Sequence, residues 1–319
     1  MNILIADNTH PILAEKLQQA GHHVVVDATL DYTSLLTIVA NFDALVVRSK
    51  VSLDRHFLSH ASHLRCIGRV GAGMETIDVE YAQQLGICCL NSPEGNRDAV
   101  GEHSIALLLG LFDHIAQADA EVRQGLWQRE ANRGLEVKGK TVGIIGFGNM
   151  GAAFAQRLQG FECTLIAYDK YKPQGYTPQY VQECSLEQLQ EQADVISLHV
   201  PLTPETHHMV DADFINRFRR PFYLVNTSRG AVVHTAHLIK ALQQEKVLGA
   251  AFDVLEYEDM SRDGLSINQL PPDFQYLLQS PRTLLTPHVA GWTMESKYKL
   301  ASVLADKIIQ VLIHTSQSC

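Results

Sequence analysis

Short apolar runs alternate with helix-like patterns along nearly the whole chain, and this alternation is the strongest constraint on the fold. The first runs cover residues 3–6, 24–26, 44–47, 65–70 and 87–90. A second series covers residues 141–145, 164–168, 195–200, 222–226, 248–254 and 283–286. Strands that alternate with helices form parallel sheets covered by helices. The sequence therefore predicts an α/β protein with two doubly wound parallel-sheet domains.

The two series also predict where the chain divides. A long apolar helix over residues 100–115 is followed by a polar stretch, 117–139, that is typical of a crossing between domains. A last helix over residues 293–313 has no strand after it, so we expect it to return to the first domain. We predict a discontinuous flavodoxin-like substrate domain, 1–97 and 290–319, and a Rossmann domain, 98–289. The irregular segment 256–282, which contains Pro271 and Pro272, is interpreted as a surface excursion.

Charge and cysteine content exclude several classes of function. The formal net charge of −9 argues against a nucleic-acid or anionic-membrane partner. The six cysteines have no CxxC spacing and lie mostly among apolar residues, as expected for thiols in a reducing compartment. The N-terminus lacks the pattern of a signal peptide, and no apolar run approaches the length of a membrane span. We therefore expect a cytoplasmic protein.

A glycine-rich hexapeptide connects the strand 141–145 to the next helix. It reads Gly146-Phe147-Gly148-Asn149-Met150-Gly151. Between a strand and a helix, such a GxGxxG turn lets the backbone approach a pyrophosphate at the helix N-terminus. Asp169 ends the next strand, where a carboxylate can bind the adenine ribose hydroxyls. These features predict NAD as the cofactor, although Lys170 and Lys172 keep NADP open and Asp169 could be a solvated strand-end residue.

Three polar residues follow later strands of the second series, where ligands of open α/β sheets bind. They are Arg229, Glu258 and His288. An imidazole can give or take a proton, a carboxylate can fix its tautomer, and a guanidinium can bind a substrate carboxylate through two hydrogen bonds. The set predicts redox chemistry beside a carboxylate, although a structural histidine or a surface-paired arginine would give the same pattern singly.

These motifs together resemble the D-isomer-specific 2-hydroxyacid dehydrogenases over essentially the full chain. The matching segments are 146–151, 226–230, 253–258 and 286–291. The resemblance implies that Arg229, Glu258 and His288 are catalytic. It also implies that NAD contacts further residues, namely His199, Val200, Pro201, Thr206, Thr227, Ser228, Asp253 and Gly291. Many members of the family have proline after the glutamate, whereas this chain has Asp259 and then the irregular segment.

The first domain carries the features that bear on the substrate. A glycine-rich turn, Gly71-Ala72-Gly73, can direct backbone amides at a carboxylate. Arg48 and Arg69 lie near adjacent strand ends and resemble the phosphate-binding arginines of phosphoglycerate dehydrogenases, although they could instead form surface ion pairs. A phosphorylated 2-hydroxy acid, 3-phosphoglycerate, is therefore expected, oxidised to 3-phosphohydroxypyruvate in serine synthesis. The serine-sensing domain of longer relatives is not expected.

Other functions remain open at this point. Within the same chemistry they are reduction of glyoxylate or hydroxypyruvate and oxidation of erythronate 4-phosphate. From a different class, the same fold serves as an NAD-sensing corepressor that binds proteins, and fold alone does not discriminate. No metal is expected, because the remaining histidines, such as His22, His23, His103, His207 and His208, show no ligand spacing. We expect a homodimer, because the helix 100–115 is apolar on more than one face.

Overall fold

The structure, a computed structural model, describes residues 1–258 and 270–316. The strands are β1 Asn2–Ile5, β2 His23–Val26, β3 Ala44–Val47, β4 Cys66–Arg69, β5 Cys88–Asn91, β6 Thr141–Ile145, β7 Thr164–Tyr168, β8 Gln182–Glu183, β9 Val195–Leu198, β10 Phe222–Asn226, β11 Val247–Phe252 and β12 Thr283–Leu285. The helices are α1 Ile12–Gln19, α2 Tyr32–Ile38, α3 Arg55–Ser59, α4 Val79–Gln84, α5 Arg97–Phe112, α6 Ile115–Arg123, α7 Asn149–Leu158, α8 Leu186–Gln192, α9 Ala212–Asn216, α10 Thr235–Gln243, α11 Pro272–Gln279 and α12 Met294–Ser316.

The chain forms two compact units. The first contains Met1–Arg97 and the described residues from Trp292 onward, and the second is Asp98–Gly291. The stretch 117–139, predicted to cross between domains, lies within the second unit instead, and its first part belongs to α6. His114, with a φ of 49°, separates α5 from α6, because the left-handed conformation of a non-glycine residue interrupts helical geometry.

The first unit contains a five-stranded parallel sheet in the order β2-β1-β3-β4-β5. This is the flavodoxin-like order. Helix α12 packs on one face of the sheet, where its Leu304 and Ile308 share an apolar core with Ile3 and Val46. Gly68 on β4 favours this close approach, since a Cβ atom there would lie 2.9 Å from the end of the Ile308 side chain, which would have to shift. The last helix, expected to return to the first domain, thus packs on the sheet of the first unit.

The second unit contains a seven-stranded parallel sheet in the order β12-β11-β10-β9-β6-β7-β8. Counted from β6, its first six strands follow the dinucleotide-binding order 3-2-1-4-5-6. The strand order reverses between β6 and β9, so the glycine-rich turn after β6 and the loop after β9 lie at the switch point where ligands bind in such sheets. The predicted α/β fold class with two parallel sheets is confirmed.

Two sequence interpretations of the second unit need correction. The segment before β12 is more than a surface excursion, because α11 begins at Pro272 and buries Phe274 and Leu277 in the core beside β11. The predicted departure at Asp259 lies outside the described residues.

Helix α5 is apolar on several faces because Leu107, Leu108, Leu111 and Phe112 pack in the core of the same unit. Its composition therefore does not require a second subunit.

The length and apolar character of the described helices bear on whether the chain crosses a membrane. Across residues 1–258 and 270–316, no single helix is long and apolar enough to cross a membrane. Helices α5 and α6 reach that length and composition only when they are taken together across a 61° bend.

Candidate active site

The turn between β6 and α7 has the geometry that a bound pyrophosphate requires. Gly146 has a φ of 88°, and a Cβ atom there would lie 2.5 Å from the carbonyl oxygen of His199. A Cβ atom on Gly151 would lie 2.1 Å from the carbonyl oxygen of Gly146. A Cβ atom on Gly148, in contrast, would meet nothing within 4 Å. The first and third glycines thus permit close packing of the backbone, while the second leaves space beside the N-terminus of α7 for a phosphate group.

Asp169 lies beside this turn, directly after β7. Its carboxylate accepts hydrogen bonds from the backbone N–H groups of Phe147 (2.9 Å) and Tyr171 (3.1 Å). The bond to Phe147 also stabilises the glycine-rich turn. Lys172 donates to the carbonyl oxygen of Phe147 at 2.6 Å, and Lys170 pairs with Glu205. The two lysines that could have bound the 2′-phosphate of NADP are therefore engaged within the protein. The site thus fits the free ribose hydroxyls of NAD better than the 2′-phosphate of NADP.

The residues predicted after β9 form a tight loop at the switch point. Thr206 is 8% exposed, and its hydroxyl donates to the carbonyl oxygen of Pro201 at 2.6 Å. The imidazole of His199 is buried against the ring of Phe154, 5.4 Å away, and bonds to the hydroxyl of Ser197 at 2.8 Å. Burial lowers the pKa of His199 to about 3. The side chain of His199 is thus a neutral core group, and only the backbone of this residue lies along the glycine-rich turn.

The turn after β10 presents Arg229 and is shaped by a buried amide. The side-chain oxygen of Asn226 accepts hydrogen bonds from the N–H (3.0 Å) and the hydroxyl (2.7 Å) of Ser228, and its Nδ2 donates to the carbonyl oxygen of Arg229 at 3.0 Å. The Thr227 hydroxyl lies 3.0 Å from that of Ser104 on α5. The Arg229 guanidinium donates to the carbonyl oxygen of Ser228 at 2.6 Å. These contacts fix the turn on which the partly buried Arg229 lies.

Glu258 and His288 form a hydrogen-bonded pair. Nδ1 of His288 lies 3.2 Å from Oε1 of Glu258, and the other carboxylate oxygen of Glu258 accepts from the N–H of Leu255 at 3.2 Å. The hydrogen bond to Glu258 raises the pKa of His288 above its ordinary value, despite opposing effects of burial and of the positive charge of Arg229. The structure thus brings together the three residues that the sequence predicted to be catalytic. His288 is half exposed, so its ring is accessible to a reacting molecule.

The loop that carries His288 depends on Asp253, which follows β11. The carboxylate of Asp253 is almost fully buried and accepts hydrogen bonds from the N–H groups of Val289 and Ala290, both at 2.8 Å. The loop ends at Gly291, the last residue of the second unit. His103 on α5 also approaches Asp253, a contact that the sequence interpretation missed when it grouped His103 with the histidines that show no ligand spacing.

Four other histidine side chains lie close together. The rings of His207, His208, His234 and His237 form a row with centroid distances of 3.9, 4.6 and 3.8 Å. His208 bonds to the carboxylate of Glu256 at 2.7 Å. Within the described part of the chain, no group of three or more histidine, cysteine or acidic side chains has the arrangement of a metal site.

The residues predicted to bind the substrate lie together in the first unit. The guanidinium of Arg48 lies 4.3 Å from the ring centroid of Trp292, and Nε of Arg69 donates to the carbonyl oxygen of Arg48 at 3.1 Å. Gly71 has a φ of 152°, and a Cβ atom there would lie 1.9 Å from the Arg69 guanidinium. Only glycine therefore lets Arg69 lie against this turn.

The backbone of the same turn is oriented by β5. The carbonyl oxygen of Gly71 accepts a hydrogen bond from the N–H of Ser92 at 2.9 Å, and that of Ala72 accepts from Nδ2 of Asn91 at 2.6 Å. In a trans peptide the C=O and N–H groups point in opposite directions. The N–H groups of Ala72 and Gly73 therefore point away from β5, an orientation in which they can bind an anion.

Comparison with known proteins identifies the family. The sequence profile of the D-isomer specific 2-hydroxyacid dehydrogenase NAD binding domain matches residues 105–290. The chain belongs to the D-isomer-specific 2-hydroxyacid dehydrogenases. Its second unit is the NAD-binding domain of this family, and NAD, predicted from the turn and Asp169, is confirmed as the cofactor.

Its relatives act on different acids. A D-3-phosphoglycerate dehydrogenase from Archaeoglobus fulgidus is 32% identical over 312 residues, which cover 98% of this chain and 57% of the relative. A hydroxypyruvate reductase from Thermotoga maritima is 33% identical over 301 residues, which cover 93% of this chain and 92% of the relative. The solved structure of a D-lactate dehydrogenase from Treponema pallidum is 25% identical, has a TM-score of 0.80, and covers 98% of this chain and 97% of that one. This chain thus spans little more than half the length of the phosphoglycerate dehydrogenase.

Proposed function

We propose that this chain catalyses the NAD-dependent interconversion of a 2-hydroxy acid and its 2-oxo acid, with 3-phosphoglycerate as the hydroxy acid. The observation that carries the reaction is the pairing of His288 with Glu258 beside Arg229, within an NAD-binding domain. When bound, the cofactor would supply a hydride as NADH during reduction of the 2-oxo acid and would accept one as NAD⁺ during oxidation of the 2-hydroxy acid.

Each of the three residues has a separate task in this reaction. The guanidinium of Arg229 binds the carboxylate of the acid and polarises the carbonyl group at C2. The protonated imidazole of His288 gives a proton to the C2 oxygen during reduction, and the neutral imidazole takes it back during oxidation. Glu258 stabilises the protonated ring through its bond to Nδ1, which leaves Nε2 for the substrate.

The choice of a phosphorylated acid rests on the first unit. The Arg69 guanidinium lies against the turn Gly71–Gly73, whose amides can bind an anion, and its Nε donates to the backbone carbonyl oxygen of Arg48. Two permanent positive charges match a phosphate dianion better than the neutral end of lactate or glyoxylate. We therefore propose that the chain acts at the entry of serine synthesis, and the similarity to a D-3-phosphoglycerate dehydrogenase supports this proposal.

Purified protein and a panel of acids test this proposal. NADH absorbance is followed with 3-phosphohydroxypyruvate, hydroxypyruvate, glyoxylate and pyruvate, each at several concentrations. We expect the highest kcat/KM with 3-phosphohydroxypyruvate. A preference for hydroxypyruvate or glyoxylate would overturn the substrate and support the reductase alternative that the Thermotoga maritima relative represents. No turnover of any acid would overturn the dehydrogenase reaction itself.

Assembly and location are part of the same proposal. We propose a homodimer, since α6 and the segment after it expose several large apolar side chains, Ile115, Val122, Leu126, Trp127 and Leu135. Sedimentation velocity tests the dimer, with a monomer as the contradicting result.

The cytoplasm is the proposed compartment, because Cys66 and Cys88 occupy paired positions on adjacent strands and are free thiols.

A further inference from the structure

A histidine outside the catalytic group contacts the loop that carries His288. Nε2 of His103 lies 3.0 Å from the hydroxyl oxygen of Thr286 and 3.4 Å from Oδ1 of Asp253. His103 lies on α5, whereas Asp253 and Thr286 directly follow β11 and β12. The His103 side chain is 22% exposed, so the contact is partly screened from water.

The direction of the hydrogen bonds follows from counting protons. Burial raises the pKa of Asp253, but hydrogen bonds from His103, Thr286 and the loop amides outweigh this effect and keep that pKa below its ordinary value. Asp253 is therefore an ionised acceptor near neutral pH. The single hydroxyl proton of Thr286 then points to the charged Oδ1 of Asp253, 2.6 Å away, rather than to the carbonyl oxygen of Phe252 at 3.5 Å. The oxygen of Thr286 is left as an acceptor, so Nε2 of His103 must carry a proton and donate it.

The chain of hydrogen bonds ends on the backbone around His288. Asp253 accepts from the N–H groups of Val289 and Ala290, and its own carbonyl oxygen accepts from the N–H of His288 at 2.8 Å. His288 has a φ of 53°, a left-handed conformation that costs a residue with a Cβ atom free energy and persists only where the surroundings enforce it. Asp253 supplies this enforcement, and His103 and Thr286 orient its carboxylate.

We propose that His103 is a positioning residue for proton transfer: by donating through Thr286 to Asp253, it holds the loop 286–290 in the conformation that aims the His288 imidazole. His103 itself contacts neither the acid nor NAD in this role. The proposal rests on the proposed dehydrogenase function for its kinetic consequences, whereas its structural consequence, a restrained loop, is independent of the reaction.

Two substitutions separate this role from mere packing. His103→Leu fills similar space without a donor, whereas His103→Gln keeps an N–H group that can reach Thr286. We expect His103→Leu to lower kcat about tenfold or more through misplacement of His288, with the KM for NADH within about twofold of the wild-type value. His103→Gln should recover kcat to within about threefold. Glu102→Leu, a change at the neighbouring exposed position that faces Arg157, is the matched control and should keep the wild-type kcat.

Amide hydrogen exchange supplies a readout that needs no catalysis. In the protein without substrate, we expect the amides of Val289 and Ala290 to exchange at least tenfold faster in His103→Leu than in the wild type, and at near wild-type rates in His103→Gln and Glu102→Leu. Unchanged exchange in His103→Leu would overturn the proposal. Equal loss of kcat in the leucine and glutamine variants, with exchange unchanged, would also overturn it and indicate a packing role. If the wild type reduced no acid, the proposed function would fail while the exchange comparison would still decide the role of His103.

Discussion

Replacing Arg48 by alanine tests the proposed phosphate-binding residues most sharply. The ring of Trp292 covers one face of the Arg48 guanidinium at 4.3 Å, so the group is oriented before the substrate arrives. A hydrogen bond to a charged group contributes about 1.5–3 kcal/mol, and about 1.36 kcal/mol corresponds to a factor of ten. We therefore expect kcat/KM for 3-phosphohydroxypyruvate to fall about 10- to 150-fold in Arg48→Ala. The value for glyoxylate should stay within about twofold, because glyoxylate has no phosphate to lose.

The assay is the decrease of NADH absorbance with both acids for each variant. Arg48→Lys keeps the charge but loses the planar fork, so it should give an intermediate loss. Lys50→Ala is the matched control, since Lys50 is an exposed cation two residues away whose ammonium donates to the carbonyl oxygen of Ala28. It should behave as the wild type. Equal losses for 3-phosphohydroxypyruvate and glyoxylate in Arg48→Ala would refute the phosphate contact.

Three further substitutions test the NAD-binding domain. His288→Ala should lower kcat roughly 10²- to 10⁴-fold while NADH binding, followed by fluorescence titration, stays nearly intact; an unchanged kcat would remove His288 from the reaction. Glu258→Gln removes the bond that raises the pKa of His288, so this pKa should fall. Since reduction needs the protonated imidazole, the pH at which the reductive rate declines should be lower in Glu258→Gln, and an unshifted profile would contradict the pairing. Asp169→Gly should narrow the preference for NADH over NADPH, measured as the ratio of the two kcat/KM values, and a constant ratio would contradict the ribose contact.

Most strands could be predicted from the sequence, because a buried parallel strand leaves a short, continuous apolar run. The strand β8 could not, since it consists of Gln182 and Glu183 and lies at the edge of the sheet, where no apolar run is required. Helix α11 was missed for a different reason. Its apolar positions follow two prolines in an otherwise irregular segment, and the packing of Phe274 against the core beside β11 is not visible in local sequence.

The site could be predicted as far as local motifs define it. Arg229, Glu258 and His288 each follow a recognisable strand, so the topology of a parallel sheet brings them to one edge. The contact between His103 and Thr286 joins residues 183 positions apart, and no motif marks it. The burial of the His199 ring was equally hidden, because the sequence does not say which face of the loop after β9 turns inward.

Transfer of deuterium from labelled NADH tests most directly whether the acid is reduced at C2 in this NAD-binding domain. The protein is incubated with 3-phosphohydroxypyruvate and NADH that carries deuterium at both positions of the reactive nicotinamide carbon C4, and the product is examined by NMR. We predict a 2-hydroxy acid of D configuration with the deuterium on C2. Oxidised cofactor without deuterium on C2 of the acid, or a product of L configuration, would contradict the proposed reaction.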